Sequence, residues 1–264
     1  MRFLRSLAAI VTPHGRPGAV ARAALVAVTG AGLVALWCRG VGTLPGPRAV
    51  AAALARLWRE RGLYDHLAAS VALNLRALAW STALGLTIAY LAVVPAVQPL
   101  AHALTKLRFS GLVGWGFVLA VAAGDGRTLE LWMLVFGMTP FLATAMIAVV
   151  MAVPRERLDH ARSLGLGPWR TVGEVVVRGT AADALEAIRQ NAAMGWMMLT
   201  AVEGVARAGG GLGVLMLDAE KHLDLAAVFA VIAVVLAVGV VQDRVLVALR
   251  RALCPYAELP VTPA

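Results

Sequence analysis

The stretch DHARSLGLGPWRTVGEVVV, residues 159–177, interrupts a chain that is otherwise mostly apolar. It carries Asp159, His160, Arg162, Arg170 and Glu174, with hydrophobic runs pressing on it from both sides. Pro154 closes the apolar run before it. In RERLDHARSL, residues 155–164, Leu158, Ala161 and Leu164 fall at i, i+3 and i+6, one apolar stripe on a helix. Gly165 stands where a helix takes its terminating glycine, and Pro168 where the next helix takes proline in its first position. The spacing predicts a short helix over 155–164, a sharp turn at Gly165–Gly167, and a second helix from Pro168 back towards the apolar phase. A short amphipathic helix held at a membrane surface is a docking element for a partner's groove.

Working outward, the 264 residues are 60% hydrophobic and only 15% charged, with a mean hydropathy of +0.79. Soluble domains average about 45–50% apolar and about 25% charged residues, so the composition points to a single integral membrane domain. Crossing a hydrocarbon core takes about 20 mostly apolar residues. Six segments qualify: 19–38, 68–94, 107–123, 129–153, 183–206 and 225–248. Long apolar runs without strand alternation argue for helices and against a barrel. The expected fold is therefore all-α and polytopic, with about six transmembrane helices. Residues 1–18 form an N-terminal segment, 19–253 the membrane domain with its loop at 154–180, and 254–264 a proline-containing tail. The apolar part of the N-terminus starts late and lacks a cleavage site, so it reads as an uncleaved first span.

The net charge of +9 has a ready explanation in membrane topology, since Lys and Arg gather in cytoplasmic loops. With both termini inside, fourteen Lys and Arg residues lie on the cytoplasmic side and eight on the other, while Arg76 and Arg189 sit within spans. Five of those eight lie in 39–66, where AVAAALARLWRERGLYDHL follows a Pro/Gly turn with helical spacing. An amphipathic helix on the outer membrane face accounts for them. No basic stretch interleaved with aromatics points to nucleic acid. Cys38 and Cys254 have no metal-site spacing, and the histidines are scattered. No G-x-x-x-x-G-K-[ST] motif is present, so the glycine-rich AGGGLG and AGDGR are turns and this chain does not cradle ATP.

The loop resembles the EAA loop of binding-protein-dependent ABC transporter permeases. That motif runs Glu-Ala-Ala, three residues, Gly, nine residues, Ile-x-Leu-Pro. Asp159, His160 and Ala161 occupy its first three places, Gly165 the glycine, and Val175, Val177 and Arg178 the last three named places. His160 and Arg178 depart from the pattern. Downstream, Arg189, Trp196 and Glu203, spaced by sevens and followed by Gly211-Leu212-Gly213, with Asp243 in the sixth span, resemble the nitrate, sulfonate, taurine and bicarbonate permease subgroup. The third span lacks the proline-rich stretch usual there. The resemblance implies a type I ABC importer permease in the bacterial inner membrane, without cofactor of its own. Its partners would be two copies of an ATPase subunit that bind ATP and Mg, a second permease chain as a homodimer, a periplasmic or lipid-anchored solute-binding protein, and membrane lipid. The solute implied is a small anion; relatives of this kind also carry pyrimidine-type and flavin-type nutrients.

On this resemblance Asp159, His160, Ala161, Leu164 and Gly165 are the candidate ATPase-coupling residues, the alternative being that they only shape a helical hairpin. The polar residues within spans are the candidate translocation path: Asn74 and Arg76 in the second, and Gln190, Asn191, Thr200 and Glu203 in the fifth. Arg76 is the candidate for attracting an anion, against a structural or interface role. Arg189 and Glu203 lie about 21 Å apart along one helix and cannot pair with each other. Gly137 and Pro140 mark a candidate gating kink in the fourth span. A secondary transporter working without an ATPase would be expected to show inverted repeats, and none is visible. A membrane-embedded enzyme would need a convergent catalytic set, and none is visible either.

Overall fold

The computed structural model describes residues 18–38 and 44–255. The N-terminal segment before residue 18, the first residues of the 39–66 segment, and the tail from 256 lie outside the described residues. Eleven α-helices occur among those described, and no strand. They are α1 (Ala19–Cys38), α2 (Pro47–Glu60), α3 (Leu63–Leu91), α4 (Gln98–Thr105), α5 (Leu112–Ala123), α6 (Gly126–Met151), α7 (Arg155–Ser163), α8 (Pro168–Thr171), α9 (Ala181–Ala206), α10 (Leu212–Lys221) and α11 (Leu225–Leu253).

Among the described residues four helices are long and apolar enough to cross a membrane: α1, α3, α6 and α11. α9 has the length but carries Asp183, Glu186, Arg189 and Glu203. The expected third span, 107–123, is not one continuous helix; α4 and α5 qualify only together, as a bent pair. α4 runs into a 3-10 turn at Lys106–Phe109, the chain breaks at Ser110–Gly111, and α5 leaves at an angle of 112°. The cause is local. The Thr105 hydroxyl donates to the His102 carbonyl at 2.7 Å and the Ser110 hydroxyl to the Leu107 carbonyl at 2.6 Å, closing each turn on itself. Ser110 and Gly111 are then extended. α5 alone, with 12 residues, is about 18 Å long and too short to span.

The bundle core is the pair α3 and α6, which run parallel and pack more extensively than any other two helices. The start of α6 meets α3 between Ala69 and Arg76, where Glu130 lies. Towards their ends Ala89 packs among Leu142, Met146 and Ile147. The broken α4–α5 segment makes the return between them. α9 runs back against both, from Ala184 and Ala187 beside Ala89 to Glu203 beside Ser70. α11 runs the other way, with its start beside α2 and its end beside Glu186. The bundle thus has two ends. One carries the 154–180 loop and the end of α11. The other carries α2, α10 and the 207–211 turn.

Asp125 caps α6. Its carboxylate accepts from the Thr128 hydroxyl at 2.6 Å and the Thr128 amide at 2.9 Å, and these bonds hold it below the usual carboxylate range. Asp224 caps α11 through the Ala227 amide and also pairs with Arg56 of α2. The amphipathic reading of α2 is borne out. Val50, Ala53 and Leu57 are buried on one face, and the helix packs on α11 and α3. Arg61, just past its end, pairs with Asp218 at 2.8 Å. So two of the arginines that the amphipathic helix was expected to place on the outer membrane face bind acidic groups of the same end of the bundle.

Leu57→Ala should lower the stability of the chain purified in detergent by about 2–5 kcal/mol, the range for a buried leucine truncated to alanine. Arg59→Ala, on the exposed face, should stay within about 0.5 kcal/mol. Equal effects in thermal unfolding would show that α2 is not docked through its apolar face.

Candidate functional site

The loop folds as its spacing predicts. α7 ends at Ser163, and the chain turns through Gly165 with φ of +79°, in the left-handed region that favours glycine. The Leu166 amide donates to the Ala161 carbonyl at 3.2 Å and the Gly165 amide to the Arg162 carbonyl at 2.9 Å. This pair of bonds is the Schellman closure, in which the carbonyls left open by the end of the helix are satisfied. Ala161 is buried beneath it, while Leu164 and Trp169 are each 69% exposed. A groove of about 480 Å3 runs beside α7, lined by Glu156, His160, Ala161, Leu164, Leu166 and Val175. Asp159 and His160 are exposed, and Asp159 accepts from Arg162 at 3.2 Å.

Past Pro168 the expected helix changes its winding. α8 makes one α turn, and Val172–Val177 is π-helical. The Arg178 amide donates to the Gly173 carbonyl at 3.1 Å, the five-residue bond of a π turn. Proline, the residue of the EAA pattern at this place, has no amide hydrogen to make that bond. The Arg178 side chain pairs with Glu174 at 2.7 Å across one turn. The departure at 178 therefore coincides with the irregular winding.

The stripe Arg189, Trp196, Glu203 faces three neighbours, α11, α3 and α10. Arg189 donates to Asp243 of α11 at 2.5 Å and to Glu186 at 2.6 Å, and Glu186 also takes Arg250 at 3.4 Å. Trp196 donates its indole N–H to the Gln242 side-chain oxygen at 2.6 Å, and Gln242 donates in turn to the Asn74 oxygen at 3.2 Å. Glu203 turns to α3 and α10. One of its oxygens accepts from the Ser70 hydroxyl at 2.6 Å, the other from the Gly213 amide at 2.8 Å. Ser70 accepts from the Leu212 amide at 2.8 Å, and His66 Nδ1 from the Gly211 amide at 2.9 Å. A Cβ at Gly211 would sit 2.3 Å from the Glu203 carboxyl carbon, so only glycine lets the carboxylate approach. Glu130 of α6 takes the Ala208 amide at 3.1 Å. The whole 207–213 turn hangs on these side chains.

The polar residues read as a path do not line one cavity. Arg76 and Glu203 line one cavity, between α3, α6 and the turn. Thr200 lines a groove of about 520 Å3 between α9 and α11 that also holds Arg189 and Asp243. Gln190 and Asn191 line a third, of about 280 Å3, beside Phe141 and Ala145. Asn74 is buried at the crossing of α3, α9 and α11. Asn191 is buried and donates to the Ser81 hydroxyl at 3.3 Å. α6 passes through Pro140 without interruption, and Gly137 is a close approach to Met198 of α9. Ser70, Glu130, Glu186 and Gln242 are absent from the sequence reading of the site. Glu186 has a local signal, three residues before Arg189. The other three partners are remote in the chain. Among the described residues no group of three His, Cys, Asp or Glu side chains is placed to hold a metal.

Residues 67–253 match the family model of the binding-protein-dependent transport system inner membrane component. The chain belongs to that family, and is an ABC importer permease. No curated protein matches the sequence. Among solved structures, the fold is similar to the MetNI methionine ABC transporter in inward-facing conformations, with a TM-score of 0.54, 16% identity, and coverage of 75% of this chain and 97% of that one. It is also similar to an amino acid ABC transporter crystallised with histidines, with a TM-score of 0.57, 17% identity, and coverage of 76% and 96%.

Glu203→Ala should orphan the Ser70 hydroxyl and the Gly213 amide, at about 1–3 kcal/mol for each donor left unpaired in the interior. Glu203→Gln keeps an oxygen and should cost clearly less. Thermal unfolding of the two purified variants measures the difference; equal losses would show that the carboxyl is not an anchor.

Proposed function

We propose that this permease imports a small solute bearing an anionic group, such as a sulfonate, taurine, nitrate or bicarbonate, using ATP hydrolysed on a separate ATPase subunit. The α7 end of the bundle lies in the cytoplasm, with both termini on that side of the bacterial inner membrane. Two permease chains form a homodimer, and each α7 is gripped by one of two ATPase copies. A solute-binding protein delivers at the opposite end. ATP-driven closure of the ATPases draws the two α7 helices together, and α8 with the π turn carries that movement into α9. Gly137 and Pro140 are the positions in α6 where the path would bend during the switch.

One observation carries the docking reading. Leu164 stands exposed on a groove whose floor is Ala161, at a turn stiffened by the Schellman bonds. An exposed leucine on a rigid, otherwise charged helix is a surface for a partner. His160 lines the same groove, and Asp159 and Gly165 complete the coupling set beside it. A zwitterionic amino acid is the second reading for the solute, since the two structural neighbours are named as methionine and amino acid transporters and a zwitterion also presents an oxyanion.

Leu164→Asp should weaken co-purification of the permease with its ATPase subunit at least about tenfold, the loss of one interface anchor of about 1.4 kcal/mol or more. The unfolding temperature of the permease alone should not move. Gly165→Trp should likewise abolish association and solute-dependent ATPase activity. If both variants keep both properties, the docking surface lies elsewhere.

A further inference from the structure

At the end of the bundle away from α7, a cavity of about 310 Å3 opens between α3, α6 and the 207–211 turn. Its polar wall consists of Arg76, Arg127, Thr128, Glu130 and Glu203. Both carboxylates are already engaged by the fold. Glu203 takes the Ser70 hydroxyl and the Gly213 amide, and Glu130 takes the Ala208 amide. The Thr128 hydroxyl is directed to Asp125. The two guanidiniums are not so engaged. Arg76 and Arg127 are exposed, and neither makes an ion pair or a side-chain hydrogen bond among the described residues. Arg127 acts by its charge on Glu130 and Asp125 without pairing with either, and the guanidinium groups held by no direct contact are those of Arg76 and Arg127.

The depth of Arg76 sharpens this. It lies thirteen residues past the start of α3, about 20 Å along the helix. A guanidinium within a helix that crosses a membrane is costly against hydrocarbon and is found facing a polar cavity or a partner charge. Here the cavity is present and the partner is not. A guanidinium is planar and presents parallel N–H groups that match two oxygens of a carboxylate, sulfonate or phosphate. The volume falls at the lower limit of small-molecule sites, about 300–1,000 Å3, which fits a solute of amino-acid size.

We propose that this cavity is a receiving site, in which Arg76 and Arg127 take the oxyanion group of a small solute before it passes between the helices. The inference rests on the reading of the chain as an importer with α7 in the cytoplasm. The pinned carboxylates keep the 207–213 turn in place and leave the two arginines to do the binding. A lipid phosphate offers the same oxyanion chemistry, and the test separates the two sources.

The full chain is placed in phosphatidylcholine nanodiscs without any ATPase, and its thermal unfolding is followed against methanesulfonate, L-methionine and chloride as sodium salts or at matched ionic strength. Methanesulfonate or L-methionine should raise the midpoint saturably where chloride does not. R76Q and R127Q should each weaken that response at least tenfold with an unchanged midpoint in the absence of additive, and R76K should recover part of it. The same response in R76Q and R127Q as in the parent, or no response beyond that of chloride, overturns the proposal. So does a stabilisation seen only when phosphatidylglycerol is present and insensitive to the two solutes, which would assign the arginines to a lipid headgroup. With no ATPase in the assay, failure here leaves the docking of α7 untouched, and failure of that docking leaves this measurement intact.

Discussion

A carboxylate with 1% of its surface exposed has to be met by donors, and the way Glu203 is met sets the architecture of one end of the bundle. Its two oxygens join α3 through Ser70 and α10 through Gly213. The same turn is gripped again by His66 and Glu130. An uncompensated charge at this site would be far more damaging than the loss of any one apolar contact. The requirement propagates into backbone conformation. Gly211 adopts a φ of +121° and comes close enough to Glu203 that no side chain fits. The spacing of Glu203 and the glycines after it thus has a physical reason in the protein itself, independent of what the permease carries.

The two ends of the bundle are built on opposite principles. At the α7 end the backbone closes its own helix terminus and leaves charged and apolar side chains outward, available to a partner. At the other end side chains reach in to hold backbone amides, so the surface there is fixed and the remaining free charge is that of Arg76 and Arg127. α9 connects the two. Its lower half is tied to α11 by Arg189–Asp243 and by Arg250–Glu186, its upper half to α3 and α10 by Glu203. α9 thus has polar fastenings at both ends, and α6, which leads directly into α7, carries Glu130 at the cavity end.

Much of this was readable in advance, and the exceptions share a cause. α1 begins and ends at 19 and 38 as its apolar run does. The face of α2 follows from Val50, Ala53 and Leu57, and the turn at Gly165 from one glycine, one proline and helical spacing. All of these are local. The break at Ser110–Gly111 was hidden because hydropathy averages over a window, while the break depends on two hydroxyls bonding back to carbonyls three residues earlier. The placing of the polar residues within spans was hidden for another reason. Ser70 and Glu203 are 133 positions apart, and Gln242 and Asn74 are 168. Nothing in the neighbourhood of Asn74 separates a residue buried at a helix crossing from one that faces a cavity.

The π turn at 172–177 has a consequence for how the bundle is indexed. It holds one residue more per turn than an α-helix, and one residue is about 100° of rotation about the axis. That extra residue rotates the chain by this amount before the turn at 178–180 that leads into α9. The rotation is held by a hydrogen bond from a main-chain amide at position 178. A proline there would remove that hydrogen bond, and with it the contact that closes the wide turn ahead of α9.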